Sequence, residues 1–196
     1  MRALFCFTLL ILVFNPVFGL AQALNPEVDI AAFFHQVNVS GDGLDAYVAD
    51  YFMRELGLEF KDQPFNVKLY DGSRDKFEFW ARWQDSPYII TVDLTEKGWL
   101  IERPFSIPFI FNIYRTSYVI ETYVNFSDRS NGNLLLNKRF YVKVNGGEVY
   151  QILNNDPNDG DLAISYSKQK LIEKQCQKML ARRLSNDVCK ILKKRR

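Results

Sequence analysis

"FFHQVNVSGDGLDAYVADYFMREL", Phe33 to Leu56, decides the fold class of this 196-residue chain because its hydrophobic period changes halfway along. Before the glycines the pattern is two-fold: Phe34, Gln36 and Asn38 alternate with His35, Val37 and Val39, which predicts a strand over Ile30–Val39. After "SGDG", Leu44, Tyr47, Val48, Tyr51, Phe52 and Leu56 recur at spacings of three and four, which predicts a helix over about 43–56 with one apolar stripe. Asp42 is the expected N-cap and Gly57 the expected stop. A helix striped on one side has to pack against another layer, and the strand beside it points to a sheet.

Reading outward, Phe65, Val67 and Leu69 alternate, "DGS" (71–73) marks a turn, and "KFEFWARW" (76–83) predicts a strand with Phe77, Phe79, Ala81 and Trp83 on one face. "YIITVDL" (88–94) predicts another strand. "SYVIETYVNF" (117–126) places Tyr118, Ile120, Thr122, Val124 and Phe126 on one face, and the loop 128–132 fits a hairpin. "LLLNKRFYVKV" returns with Leu136, Phe140, Val142 and Val144, "NGGEVYQIL" predicts a further short strand, and the loop 154–161 leads to a last helix over about 166–192. The order predicts an α+β domain: an antiparallel sheet with the N-terminal helix and a basic C-terminal helix packed on it.

Both ends carry information about location. Residues 1–23 hold one early cation, Arg2, a short apolar run, and the small-residue end Ala21-Gln22-Ala23, which predicts a signal peptide cleaved after Ala23. That run is too short to span a bilayer, and no later run is long enough, so residues 24–196 are expected to be one exported domain, periplasmic or secreted. Residues 168–196 contain eleven Lys or Arg against two acids, whereas residues 24–167 contain thirteen cations and twenty-one anions. The near-neutral total hides an acidic body with a basic end.

Chemistry is sparse. His35 is the single histidine, so a histidine-rich metal site is excluded, and no nucleophile elbow, P-loop or zinc-protease motif is present. "NNDPNDGDL" (154–162) reads as a polar turn because Gly160 stands where a calcium loop needs a ligand. No cofactor, metal or catalytic residue is expected, and export makes nucleic acid a poor partner. Carboxylate-only enzyme chemistry needs no sequence spacing and stays open as a lesser alternative.

Two stretches offer contact surfaces. "PFSIPFIFNIY", Pro104–Tyr114, has seven large apolar residues among its eleven. It reads either as a buried segment crossing a sheet edge or as an exposed apolar loop in which Phe105, Ile107, Phe109, Ile110 and Phe111 meet lipid, an acyl chain or a protein. In the C-terminal helix an apolar stripe runs from Leu171 to Leu192, with Lys174, Lys178, Arg182 and Arg183 expected outward or along the rim. Lys193, Lys194, Arg195 and Arg196 are expected to stay mobile and, with the preceding cations, to contact an anionic surface. Cys176 and Cys189 lie about 20 Å apart on an unbroken helix. If the helix breaks at Ser185-Asn186-Asp187, where capping chemistry sits, they can pair, and a disulfide is the expectation in an exported chain.

The stretch Phe33–Leu56 together with "YVNFSDRSNGNLLLNKRFYVKV" (123–144) resembles a group of bacterial envelope accessory proteins. That group includes the lipopolysaccharide-transport partner lipoprotein, the curli-secretion lipoprotein and the lipoprotein activators of penicillin-binding proteins. The resemblance implies a strand, a helix, several antiparallel strands and a late helix, and carries over no functional residue. Export, the α+β pattern, the absent catalytic motifs and the basic end point to a non-enzymatic protein acting through an envelope protein or anionic lipid partner. The chain departs from the group in lacking the lipid-attachment cysteine. A carrier of lipid or of a small hydrophobic ligand is the alternative that the aromatic strands suggest.

Overall fold

The period change at residue 40 does separate a strand from a helix. The computed structural model describes residues 28–37, 43–62, 64–152 and 164–195. The expected leader, the Asp42 cap, the 154–161 loop and Arg196 lie outside these residues. β1 (Val28–Gln36) is followed by α1 (Leu44–Glu59), β2 (Phe65–Leu69), α2 (Arg74–Trp83), β3 (Tyr88–Ile107), β4 (Phe111–Asp128), β5 (Asn133–Ile152) and α3 (Tyr166–Lys194). The fold is α+β, as the patterning predicts.

The described strands form one sheet in the order β2-β1-β3-β4-β5. It is mixed rather than antiparallel: β1 runs parallel to both β2 and β3, and only β3, β4 and β5 are antiparallel neighbours. The cause is the helical connections, since α1 and α2 each return the chain to the starting end of the sheet. Alternate residues of the strands face α1 and α3. Ile30, Ala32 and Phe34 of β1, Ile90, Val92 and Leu94 of β3, Tyr118, Ile120, Val124 and Phe126 of β4, and Phe140 and Val142 of β5 bury against Val48, Phe52 and Leu56 of α1 and Ile172, Leu180, Leu184 and Val188 of α3. Each such side chain contributes about 1.5–3 kcal/mol, so this layer holds most of the stability.

"KFEFWARW" is a helix, not a strand. The even spacing of Phe77, Phe79, Ala81 and Trp83 conceals a helical stripe at positions 77, 80 and 81. Phe77 and Ala81 bury with Ala31 and Phe33 on the sheet face opposite α1, and Tyr70 and Trp80 pack against them. Phe79 and Trp83 point away and meet edge to face at 5.9 Å. The connection from β2 to β3 must cross β1, and a helix does so while covering apolar surface.

α1 runs past the expected stop at Gly57 and ends at Phe60, whose N–H bonds the Leu56 carbonyl. Gly57 lies against the ring of Phe65, and that packing continues the helix over β2. "NGGEVYQIL" is no separate strand but the continuation of β5.

α3 is unbroken from Tyr166 to Lys194, and this overturns the expected disulfide. Cys176 and Cys189 are both free and buried in its packed face, thirteen residues apart along one helix. The capping residues have other partners: the Ser185 hydroxyl donates to the Arg182 carbonyl at 3.1 Å, and Asp187 pairs with Lys138 at 2.7 Å. The Cys176 thiol faces the Val142 carbonyl at 3.5 Å, and burial pushes it up to about 12 and Cys189 up to about 11. His35 stacks on Phe33 at 5.6 Å, in register with Asp93.

Candidate docking surface

β1 pairs with β3 only as far as Leu94, so beyond that point β3, β4 and β5 continue as a three-stranded arm. Irregularities bend the arm at its root. β3 bulges between Glu96 and Gly98, and β5 carries an extra residue, Gly146, opposite Thr116–Ser117. A β-carbon on Gly146 would come within 2.7 Å of Thr116 Oγ1, so only glycine fits the bulge. Pro104 sits in a second bulge of the β3–β4 pairing, between Glu102 and Phe105. Proline lacks an N–H, and this is a place in a sheet where none is needed.

The arm ends in the stretch whose sequence reads two ways. The buried crossing is overturned: Phe105, Ile107, Phe109 and Ile110 are all exposed, Phe109 at 79% and Ile110 at 59%. Residues 108–110 form the turn, with Phe109 at φ 63°. That backbone region normally takes Gly, Asn or Asp, so a bulky aromatic there is an outlier of the kind found at functional sites. Behind the turn, two cross-strand rows are wholly apolar: Ile107–Phe111–Ile152 and Phe105–Ile113–Tyr150. Phe111 stacks on Tyr150 at 6.0 Å and lies 6.3 Å from Phe105. Tyr150 and Ile152 belong to this surface although they lie far from Pro104–Tyr114 in sequence. Strand register brings them there, and no local pattern encodes it.

The next row on the same face is charged. Arg115 Nη2 binds Glu148 Oε1 at 2.5 Å, and Lys143 binds Glu102 at 2.6 Å. The opposite face at the tip is polar: the Ser106 hydroxyl donates to Asn112 Oδ1 at 2.6 Å, beside buried Gln151.

The basic helix is largely spent on the fold. Lys178 sits over the Tyr51 ring at 5.3 Å, and Arg183 donates to the Tyr141 carbonyl at 3.0 Å on the outer strand β5. Lys193 pairs with Glu59 at 2.8 Å, and Arg195 binds Asp128. The expectation of a mobile tail is therefore corrected for Lys193 and Arg195, because the acidic body supplies them with partners. Lys174, Arg182 and Lys194 are exposed and make no ion pair among the described residues. The two candidate contact surfaces are not brought together. Trp99, at the root of the arm, reaches Glu173 near the start of α3, whereas Arg195 lies by Asp128 at the far end of β4. The helix between them is about 40 Å long.

Among the described residues, two hollows are open and lined largely by charged side chains. One groove of about 400 Å³ is lined by Lys138, Arg139, Arg183, Asp187 and Lys190, and another of about 410 Å³ by Arg74, Glu78, Arg82 and Arg129 beside Phe77 and Ile89. Among the described residues no group of His, Cys, Asp or Glu could hold a metal ion, and no helix is long and apolar enough to cross a membrane. The carboxylates that clearly depart from their ordinary values, Asp128 and Glu59, both move down through hydrogen bonds and cationic partners.

No family model matches the chain, and no curated protein sequence matches it. Solved structures do match. A Xanthomonas campestris protein of the DUF330 family is similar at 9% identity and a TM-score of 0.49, covering 85% of each chain. Rare lipoprotein B from Shewanella oneidensis is similar at 12% identity and a TM-score of 0.36, over 83% of this chain and 94% of that one. A minor lipoprotein from Acinetobacter baumannii matches at 12% identity and a TM-score of 0.36, over 83% and 91%.

Proposed function

We propose that the protein is an exported, non-enzymatic binding protein of the cell envelope, and that it engages its partner through the apolar end of the β3–β4–β5 arm. The observation that carries this reading is the contiguous exposed surface of Phe105, Ile107, Phe109, Ile110, Tyr150 and Ile152 at the end of the arm. A solvent-facing turn normally carries Gly, Asn, Asp or Ser, and a large apolar patch at such a place marks a contact site. The leader-like residues 1–23 supply the route to the envelope.

The test is photocrosslinking in intact cells with a photoreactive residue at position 109 or 110, and in parallel at positions 79 and 174. Adducts of a defined mass should form from the tip positions and not from the other two. Adducts only from 79 or 174 would move the contact surface elsewhere and sink this reading.

A further inference from the structure

We infer that the partner of the arm is an anionic lipid bilayer, into which the tip inserts shallowly; this rests on the docking reading above and names its partner. The apolar surface and the charged surface meet along one line across three strands. Rows 107–111–152 and 105–113–150 are apolar, and the next row is Glu102–Arg115–Glu148. A level boundary of this kind matches a planar interface between hydrocarbon and headgroups. On this face all three strands change from apolar to charged at the same height, while the interleaved row Ser106–Asn112–Gln151 on the other face is polar.

The dimensions agree. Phe111 and Arg115 are four strand residues apart, about 13 Å along the strand and less once tilted, which suits a segment buried about 5–10 Å into the headgroup and acyl boundary. Tyr150 lies at the boundary, with its ring on Phe111 and its hydroxyl 3.5 Å from Glu148. That is the placement of an interfacial aromatic, apolar body in and polar end out.

The charge is complementary to anionic headgroups. At the boundary stand Arg103, Arg115, Lys143 and Lys168 against Glu102 and Glu148. Arg103 is exposed without an ion pair among the described residues, and Lys168 extends from the first turn of α3 to 3.3 Å from the place a β-carbon on Gly147 would occupy. Insertion is shallow rather than spanning, because the apolar rows end at the charged row Glu102–Arg115–Glu148. The lipid contact expected of the basic C-terminus thereby moves to the other end of the molecule.

The experiment uses the protein purified in its exported form, with vesicles of phosphatidylethanolamine and phosphatidylglycerol, and with phosphatidylcholine vesicles as the neutral control. An environment-sensitive fluorophore is placed at Ile110→Cys and, separately, at Phe79→Cys; Cys176 and Cys189 are buried and stay unlabelled in the native protein. The label at 110 should shift to the blue on anionic vesicles while the label at 79 stays unchanged. Phe109→Ser with Ile110→Ser should weaken co-sedimentation at least tenfold. Arg103→Ala and Lys168→Ala should each weaken it by about fivefold in low salt. Circular dichroism checks that each variant is folded. No shift at 110 together with no sedimentation overturns the lipid inference. If position 109 still captures a protein in cells, the docking reading survives with a protein partner; if it captures nothing, both fall.

Discussion

Phe77 and Phe79 are two residues apart in sequence and differ completely in surroundings, so replacing each with alanine separates a helix from a strand at this position. Phe77 is 2% exposed and packs at 5.2 Å on Phe33, 5.7 Å on Tyr70 and 6.1 Å on Trp80. Phe79 is 65% exposed, and among the described residues its ring contact is with Trp83. A buried Phe→Ala change costs about 3–5 kcal/mol, and the lower end applies here because Tyr70 and Trp80 are partly exposed and can close over the gap. At about 2–4 °C per kcal/mol for a domain of this size, a loss of about 3 kcal/mol lowers Tm by about 6–12 °C. Phe79→Ala should stay within about 0.5 kcal/mol of the parent. Thermal and urea unfolding followed by circular dichroism give both values, with Phe77→Leu as the milder substitute if Phe77→Ala does not fold. Equal losses from the two variants would place both rings on one buried strand face and refute the helical assignment.

Native protein should leave Cys176 and Cys189 unreactive toward a thiol reagent up to about pH 9, well below the raised values of both thiols, while unreduced protein in denaturant should titrate two free thiols from these positions; none would restore the disulfide. Asp128 accepts hydrogen bonds from the Ser130 hydroxyl at 2.5 Å, the Ser130 amide at 3.0 Å and Asn131 at 3.2 Å, and also binds Arg195. These contacts, the Ser130 hydroxyl foremost, hold its carboxyl below the usual range against the opposing effect of burial. Its stabilising contribution is complete above the unfolded value of about 4 and disappears as pH falls through the lower folded value. Asp128→Asn should therefore cost about 1–3 kcal/mol at pH 7 and much less near pH 2, read from urea unfolding at both pH values; a pH-independent difference would argue against the ionised contact. The Lys193–Glu59 pair is solvent-exposed, so Lys193→Ala should have a small effect on Tm that vanishes in 0.5 M salt. N-terminal sequencing of the exported protein should begin at Leu24, and a chain still starting at Met1 would contradict cleavage after Ala23.

The sequence by itself determined the elements whose character depends on neighbours in the chain. A side chain repeats its direction every two residues in a strand and every 3.6 in a helix, so β1, α1, the buried face of β4 and the stripe of α3 could be read from spacing alone. Where two periods overlap, as in "KFEFWARW", spacing could not choose, and contact with Ala31 and Phe33 across the sheet chose the helix. The same limit applies to the candidate site. The apolar tip residues Phe105 to Phe111 were visible as an anomaly, but whether they were buried or presented depended on where β1 stops pairing with β3. Tyr150 and Ile152 joined them only through strand register. The cations of α3 could be counted from the chain, yet Glu59, Tyr51, Asp128 and the Tyr141 carbonyl decided which were consumed internally. Those partners are distant in sequence. Periodicity encodes which way a residue points, and only the assembled sheet decides what it meets.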